Sequence, residues 1–161
     1  MFVVKFINVC CIFTSITDML SKKAKGISAL VLTENAPEHT ASFAFILEDK
    51  DAYPVVGFTW IHWLGANLKR NGLEENESQT ATDFIQGANS WISIQGNQQT
   101  KEQASYYGGM TPPDKSHTYE LHIFALDKML DLKNGFYLNE LYEKMEGHIL
   151  EEAILKGIYE K

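Results

Sequence analysis

The stretch 117–126 constrains this chain most, because its side chains sort into two coherent faces only when read with a period of two. His117, Tyr119, Leu121, Ile123 and Ala125 share one side, while Thr118, Glu120, His122, Phe124 and Leu126 share the other. That pattern is a strand, and it separates His117 and Tyr119 from His122. The same parity in 42–49 places Phe43, Phe45 and Leu47 on one face with Asp49 at its end. A carboxylate that ends an apolar stripe is costly to desolvate unless something donates to it. A turn aspartate bonding its own backbone ahead of Ala52, Tyr53 and Pro54 is the simpler reading. In 57–64, Trp60 and His62 fall on one face, where His62 is either a satisfied core histidine or a ligand-binding one.

Further strands are predicted over 28–33 and 153–159. Leu138, Leu141, Tyr142 and Met145 recur at helical spacing before Gly147, which predicts one late helix. The chain is therefore expected to be mainly β with a peripheral C-terminal helix. Its 161 residues suit one domain spanning 1–161, and the 45% hydrophobic content is ordinary for a globule.

Between these strands, Tyr106-Tyr107-Gly108-Gly109-Met110-Thr111-Pro112-Pro113 combines two permissive glycines with two φ-fixing prolines. Such a loop is stiff and able to aim backbone amides at an anion, although many Gly/Pro loops only connect strands. The segment 85–105 is rich in Gln, Asn, Gly and Ser and is expected to be a long loop, either a passive excursion or a lid carrying Trp91 and Ile92.

The order of these clusters resembles the phosphatidylethanolamine-binding protein family in its bacterial Raf-kinase-inhibitor-like branch. The residues that carry the resemblance are Asp49-Lys50-Asp51-Ala52, Trp60-Ile61-His62-Trp63, Thr82-Asp83-Phe84, the Gly108 to Pro113 loop and His117-Thr118-Tyr119. Phe124-Ala125-Leu126-Asp127 and Met145 to Leu150 extend it, so that it covers about 35–159 and leaves 1–34 atypical. Lys50 and Thr118 stand where the family has proline and arginine, changes expected to alter the charge at the pocket rim.

The resemblance implies an antiparallel two-sheet β fold and a binding module for a small anionic or phosphorylated ligand. The pocket would comprise Asp49, His62, Gly109, Thr111, Pro112, His117 and Tyr119, with neither metal nor cofactor. In this reading His62 donates to the anion and Tyr119 adds a neutral donor, while Asp49 orients His62, holds it protonated, or bonds a protonated phosphoryl oxygen or an amine head group. Binding would then weaken as pH rises through the His62 pKa. The resemblance further implies a role beside phosphoprotein signalling, with a kinase or protease as partner, and self-association as a homodimer.

An enzyme is the rival class, since Asp, two His and Tyr could serve acid–base or metal-assisted hydrolysis, with His62, His117 and Asp49 as the zinc set. No Ser or Cys nucleophile motif and no standard zinc spacing supports it. The formal charge of -7 argues against nucleic acid as partner. Adjacent Cys10 and Cys11 form no disulfide framework and suggest a reducing, cytoplasmic setting. The apolar run 2–13 is too short to span a bilayer and is expected to be an edge strand. An export signal is the competing reading, but Asn8 interrupts the run and no small-x-small site follows in 14–21. The basic patch 21–26 is expected to be a solvated loop.

Overall fold

The period-two stretches form the centre of one antiparallel sheet. A computed structural model describes residues 3–5, 32–34, 36–73 and 77–161. Its strands are β1 (Val3–Lys5), β2 (Leu32–Glu34), β3 (Ser42–Asp49), β4 (Trp60–Leu68), β5 (Ile85–Gly87), β6 (His117–Leu126) and β7 (Ile149–Tyr159). The larger sheet has the order β5-β4-β3-β6-β7, and β1 pairs with β2 in a second, two-stranded sheet. Among the described residues, short or medium α-helices accompany them: α1 (Tyr53–Val56), α2 (Lys101–Ala104) and α3 (Leu138–Met145). This is the two-sheet architecture that the family resemblance implies, mainly β as the strand pattern predicts and with its late helix in place.

Both faces of the larger sheet are covered. Phe43, Phe45, Leu47, Trp63, Leu121 and Ile123 build one buried cluster. Ala44, Ile46, Leu64, Phe124 and Leu126 build the other, against which α3 packs Leu141 and Met145. The helix begins with the Glu140 carboxylate accepting from the Tyr137 N–H at 2.7 Å, and Gly147 just beyond its end takes a left-handed φ of 75°. Tyr142, expected in the apolar stripe of α3, is instead half-exposed. Gly65 is required by close packing: a Cβ there would lie 2.0 Å from the Phe45 ring.

Several boundaries differ from expectation. The strand expected over 57–64 starts at Trp60 and runs to Leu68, because Pro54 opens the short helix α1 and Gly57 closes it with a left-handed φ of 88°. Strand β7 begins four residues before the expected 153, since its alternation is carried partly by charged residues on a half-covered edge. The segment 85–105 is not a bare loop. It holds β5, a 3-10 turn at Ser90–Ile92 and α2, whose N-terminus is closed by a reciprocal Thr100–Gln103 capping box. Most of the strand expected over 28–33, the run 2–13 apart from Val3–Lys5, the cysteine pair and the basic patch 21–26 lie outside the described residues.

Candidate functional site

Three strand ends meet at one end of the sheet. Asp49, the last residue of β3, pairs across the ladder with Trp60 at the start of β4 and with Tyr119 near the start of β6. On β4, Leu47 pairs with Trp63 and Glu48 with Ile61, which leaves His62 as the extra residue of a β-bulge. The bulge explains how His62 and Trp63, neighbours in sequence, both serve the same face. Trp63 enters the aromatic core, and the His62 ring meets Tyr119 edge-on at 5.2 Å between centroids.

The strongest polar contact joins two residues that the sequence singles out. His117 Nδ1 lies 2.7 Å from Asp49 Oδ2, and both side chains are buried. Its other nitrogen, Nε2, lies 2.7 Å from Asp114 Oδ1, on a side chain that is 46% exposed. A ring whose two nitrogens both face carboxylates donates from both, which makes it an imidazolium. Burial alone would lower the His117 pKa, but the hydrogen bonds to Asp49 and Asp114 outweigh it and hold the value above the ordinary histidine range. Asp114 is correspondingly held below the ordinary carboxylate range by its bond to His117.

Asp49 also has its turn role. Its Oδ1 accepts from the Ala52 N–H at 3.2 Å, while Asp51 Oδ2 accepts from the Thr118 N–H at 2.9 Å. The Asp-Lys-Asp-Ala segment is thus tied to the first residues of β6, and the turn reading of Asp49 holds beside its bond to His117.

His62 behaves differently from expectation. Its Nδ1 donates to the Gly108 carbonyl at 2.8 Å, and burial pushes its pKa down to about 4. It is therefore neutral at pH 7: the Asp49 charge acts to raise the value but burial outweighs it, and the Asp49 oxygens are directed to His117 and the Ala52 N–H instead of orienting His62. The expected loss of binding through the His62 pKa is corrected accordingly. The cationic ring of this site is His117. Tyr119 is fully buried, and desolvation together with the nearby Asp49 raises its pKa, so its hydroxyl stays protonated.

The Gly-Gly loop is held from below by the segment 85–105. The Asn89 amide donates to the Tyr106 carbonyl at 2.7 Å, and the Gly108 N–H donates to the His62 carbonyl at 2.8 Å. Trp91 meets Trp60 edge-on at 5.4 Å, and a Cβ on Gly108 would lie 2.4 Å from the Trp91 indole nitrogen. Gly108 is thus a close-approach glycine, whereas a Cβ on Gly109 would meet nothing within 4 Å. Pro112 is buried, and the Thr111 hydroxyl turns back to the Met110 carbonyl at 2.7 Å instead of joining the His–Asp pair.

Asp83 pairs with Arg70 at 2.6 Å and Phe84 packs into the core, so the Thr-Asp-Phe stretch supports the fold from outside the polar cluster. Lys50, expected at the pocket rim, reaches the other face of the sheet and contacts Glu48 and Glu120. His62, His117 and Asp49 do not converge as a metal set, since both His117 nitrogens are occupied by carboxylates. Among the described residues, the His and acidic side chains with suitable spacing are Glu48, Glu120 and His122, on the opposite face.

Sequence reasoning missed Asp114. Its signal was its place three residues before His117, directly after two prolines that fix the path of the chain. It also missed the bracing role of Asn89.

Comparison with known proteins agrees with the fold. Residues 15–160 match the family model described as phosphatidylethanolamine-binding protein. The chain is 42% identical over 126 residues to the uncharacterized protein YxkA of Bacillus subtilis, covering 76% of this chain and 75% of that one. It is 36% identical over 138 residues to a UPF0098 protein of Chlamydia pneumoniae, covering 84% of each. Among solved structures, a putative phosphatidylethanolamine-binding protein homologue from Chlamydia trachomatis, CT736, superposes with a TM-score of 0.70 at 30% identity, covering 83% of this chain and 81% of that one. The fold is also that of Escherichia coli YbcL, with a TM-score of 0.65 at 22% identity over 82% and 79% of the two chains. Among the described residues, no helix is long and apolar enough to cross a membrane.

Proposed function

Because the chain belongs to the phosphatidylethanolamine-binding protein family, we propose that it is a binding module whose ligand carries a phosphoryl group, received at the imidazolium of His117. One observation carries this reading: His117 has two carboxylate partners of unequal permanence. Asp49 is buried and tied to the 49–52 turn, whereas Asp114 is half-exposed and bonds the outward nitrogen. Asp114 is thereby an internal stand-in for an anion. An incoming phosphoryl oxygen would take its place on Nε2 and gain a charge-assisted hydrogen bond. Buried Asp49 keeps the ring charged throughout, and the protonated Tyr119 hydroxyl and the loop at Gly109 supply neutral lining. The acceptor-rich surroundings, with Asp49 and the Gly108 carbonyl, favour a ligand that also brings donors, such as a phosphorylated amine or a singly protonated phosphate.

The same group could arrive on a small molecule or on a phosphorylated protein side chain; the second source is the basis for a role beside phosphoprotein signalling. Calorimetric titration with phosphoethanolamine, inorganic phosphate and a phosphoserine peptide separates these sources. Asp114→Asn removes the competing carboxylate and is expected to tighten binding of whichever ligand binds the parent, by about tenfold, equivalent to about 1.4 kcal/mol. Weaker or unchanged binding in Asp114→Asn would contradict displacement at His117. No binding of any phosphoryl ligand by either protein would remove the proposal as a whole.

A further inference from the structure

The same two central strands carry a second histidine–carboxylate cluster on the opposite face, and we infer that it is a binding site for a divalent transition-metal ion of the zinc type. Glu48 and Glu120 are directly opposite each other on β3 and β6, and both are buried. Like charges in that position repel unless a cation bridges them. His122 Nε2 lies 3.2 Å from Glu48 Oε1 and 3.4 Å from Glu120 Oε2. It is nevertheless a buried atom without a hydrogen-bond partner, because the alignment is poor for a proton between them.

The spacing suits a metal better than a proton. For zinc–nitrogen and zinc–oxygen bonds of about 2.0–2.1 Å, the edges of a tetrahedron are about 3.3 Å. The three candidate ligand atoms lie within 4.8 Å of one another, with the two imidazole-to-carboxylate edges at 3.2 and 3.4 Å. One imidazole nitrogen among the donors favours a borderline transition ion over calcium or magnesium, which prefer all-oxygen sets.

The outer contacts are those that orient metal ligands. Glu152 Oε1 faces His122 Nδ1 at 2.8 Å, which fixes the tautomer that presents the Nε2 lone pair to the cluster. Lys156 holds the far oxygen of Glu120, Oε1, at 2.7 Å and leaves Oε2 facing inward. The inward carboxylate oxygens have an exchangeable cation. Lys50 Nζ lies 3.0 Å from Glu48 Oε1 and 2.6 Å from Glu120 Oε2, on a side chain that is 54% exposed and able to swing away. The half-exposed Tyr142 of α3 lies near enough to Glu48, Glu152 and Lys50 to feel their charges. A metal ion would displace Lys50 and keep Lys156 and Glu152 as its outer partners.

Lys50 and the metal therefore compete for the same two oxygens, which gives the test two opposed arms. Zinc titration of the full chain, freed of metal by a chelator, is run at neutral pH in a Cys10→Ser/Cys11→Ser background, so that thiols do not contribute. The parent is expected to bind one equivalent, and His122→Gln to bind at least about tenfold more weakly. Lys50→Met is expected to bind more tightly, because it removes the competing charge and no ligand. Equal affinity in the parent and His122→Gln would overturn the inference, as would a parent that binds no zinc. Unchanged or weakened binding in Lys50→Met would do the same, and that exposed substitution leaves the core intact should His122→Gln fail to fold.

Discussion

Adjacent residues of one strand open onto two different electrostatic worlds. Asp49 points toward His117, and Glu48 points toward His122 on the other face. In the first, carboxylate and imidazole are buried and satisfied, and the charge is fixed by geometry. In the second, half-exposed lysines supply the counter-charge and one imidazole nitrogen remains unpartnered. The lesson is that a histidine between carboxylates is not one kind of site. Whether both ring nitrogens are hydrogen-bonded decides whether it holds a proton or offers a lone pair.

Removing one carboxylate from each face separates the two clusters most strongly. Asp49→Ala would leave a buried imidazolium with only its exposed partner and is expected to cost about 3–5 kcal/mol in urea unfolding. Glu48→Ala relieves a like-charge pair and leaves Lys50 with Glu120, so about 1 kcal/mol or less is expected. Equal costs for the two would contradict the contrast between a closed and an open cluster.

The pH dependence sharpens it, because His62 and His117 shift in opposite directions. His62 falls from 6.5 to about 4 in the folded protein. The unfolded chain therefore takes up a proton first as pH falls, and stability contributed by neutral His62 is lost between those two values. At about 1.4 kcal/mol per pKa unit, the loss is about 3 kcal/mol. His117 is raised, so its contribution is complete below the unfolded value of 6.5 and is lost as pH rises through the folded one. Urea unfolding of the parent and His62→Gln across pH 4 to 8 tests the first sign: the acid-side slope should flatten in the variant.

Gly108→Ala would drive a methyl group into the Trp91 indole and is expected to cost about 1–3 kcal/mol, with weaker phosphoryl binding as the loop shifts. Wild-type affinity in that variant would show the Trp91 brace to be dispensable. The smallest effect belongs to Lys156→Ala on the open cluster, expected below about 1 kcal/mol and screened by salt. The hydrogen bonds from Lys156 and Lys50 hold the Glu120 pKa down to about 2, so their contribution is present above the ordinary carboxylate value and lost as pH falls toward 2. Carboxyl titration by NMR should show the Glu120 value rising in Lys156→Ala.

Much of this was legible from side-chain periodicity. The two faces of β6, the separation of His122 from His117, the polar end of β3 and the helix Leu138–Met145 all follow from local spacing. What escaped was set by long-range geometry. The bulge at His62 depends on the register between β3 and β4, and the Asp114 contact depends on how the Pro-Pro loop returns to β6. The ordering of 85–105 rests on Asn89 and Trp91 finding partners on other elements, which a Gln/Asn-rich composition does not announce. The charge state of His62 was misjudged for a related reason: parity gives a residue's face, but the Gly108 carbonyl and complete burial decide its pKa.

In the proposed binding mode the phosphoryl group meets a cationic His117 while His62 stays neutral beside it. Nitrogen-15 NMR of histidine-labelled protein at pH 7, with phosphoethanolamine added stepwise, tests it. Both His117 nitrogens should report a protonated ring before ligand is added, and the outward Nε2 should shift with ligand while the His62 signals keep their neutral pattern. A His117 ring that is neutral at the outset, or a ligand response confined to His62, would contradict the account.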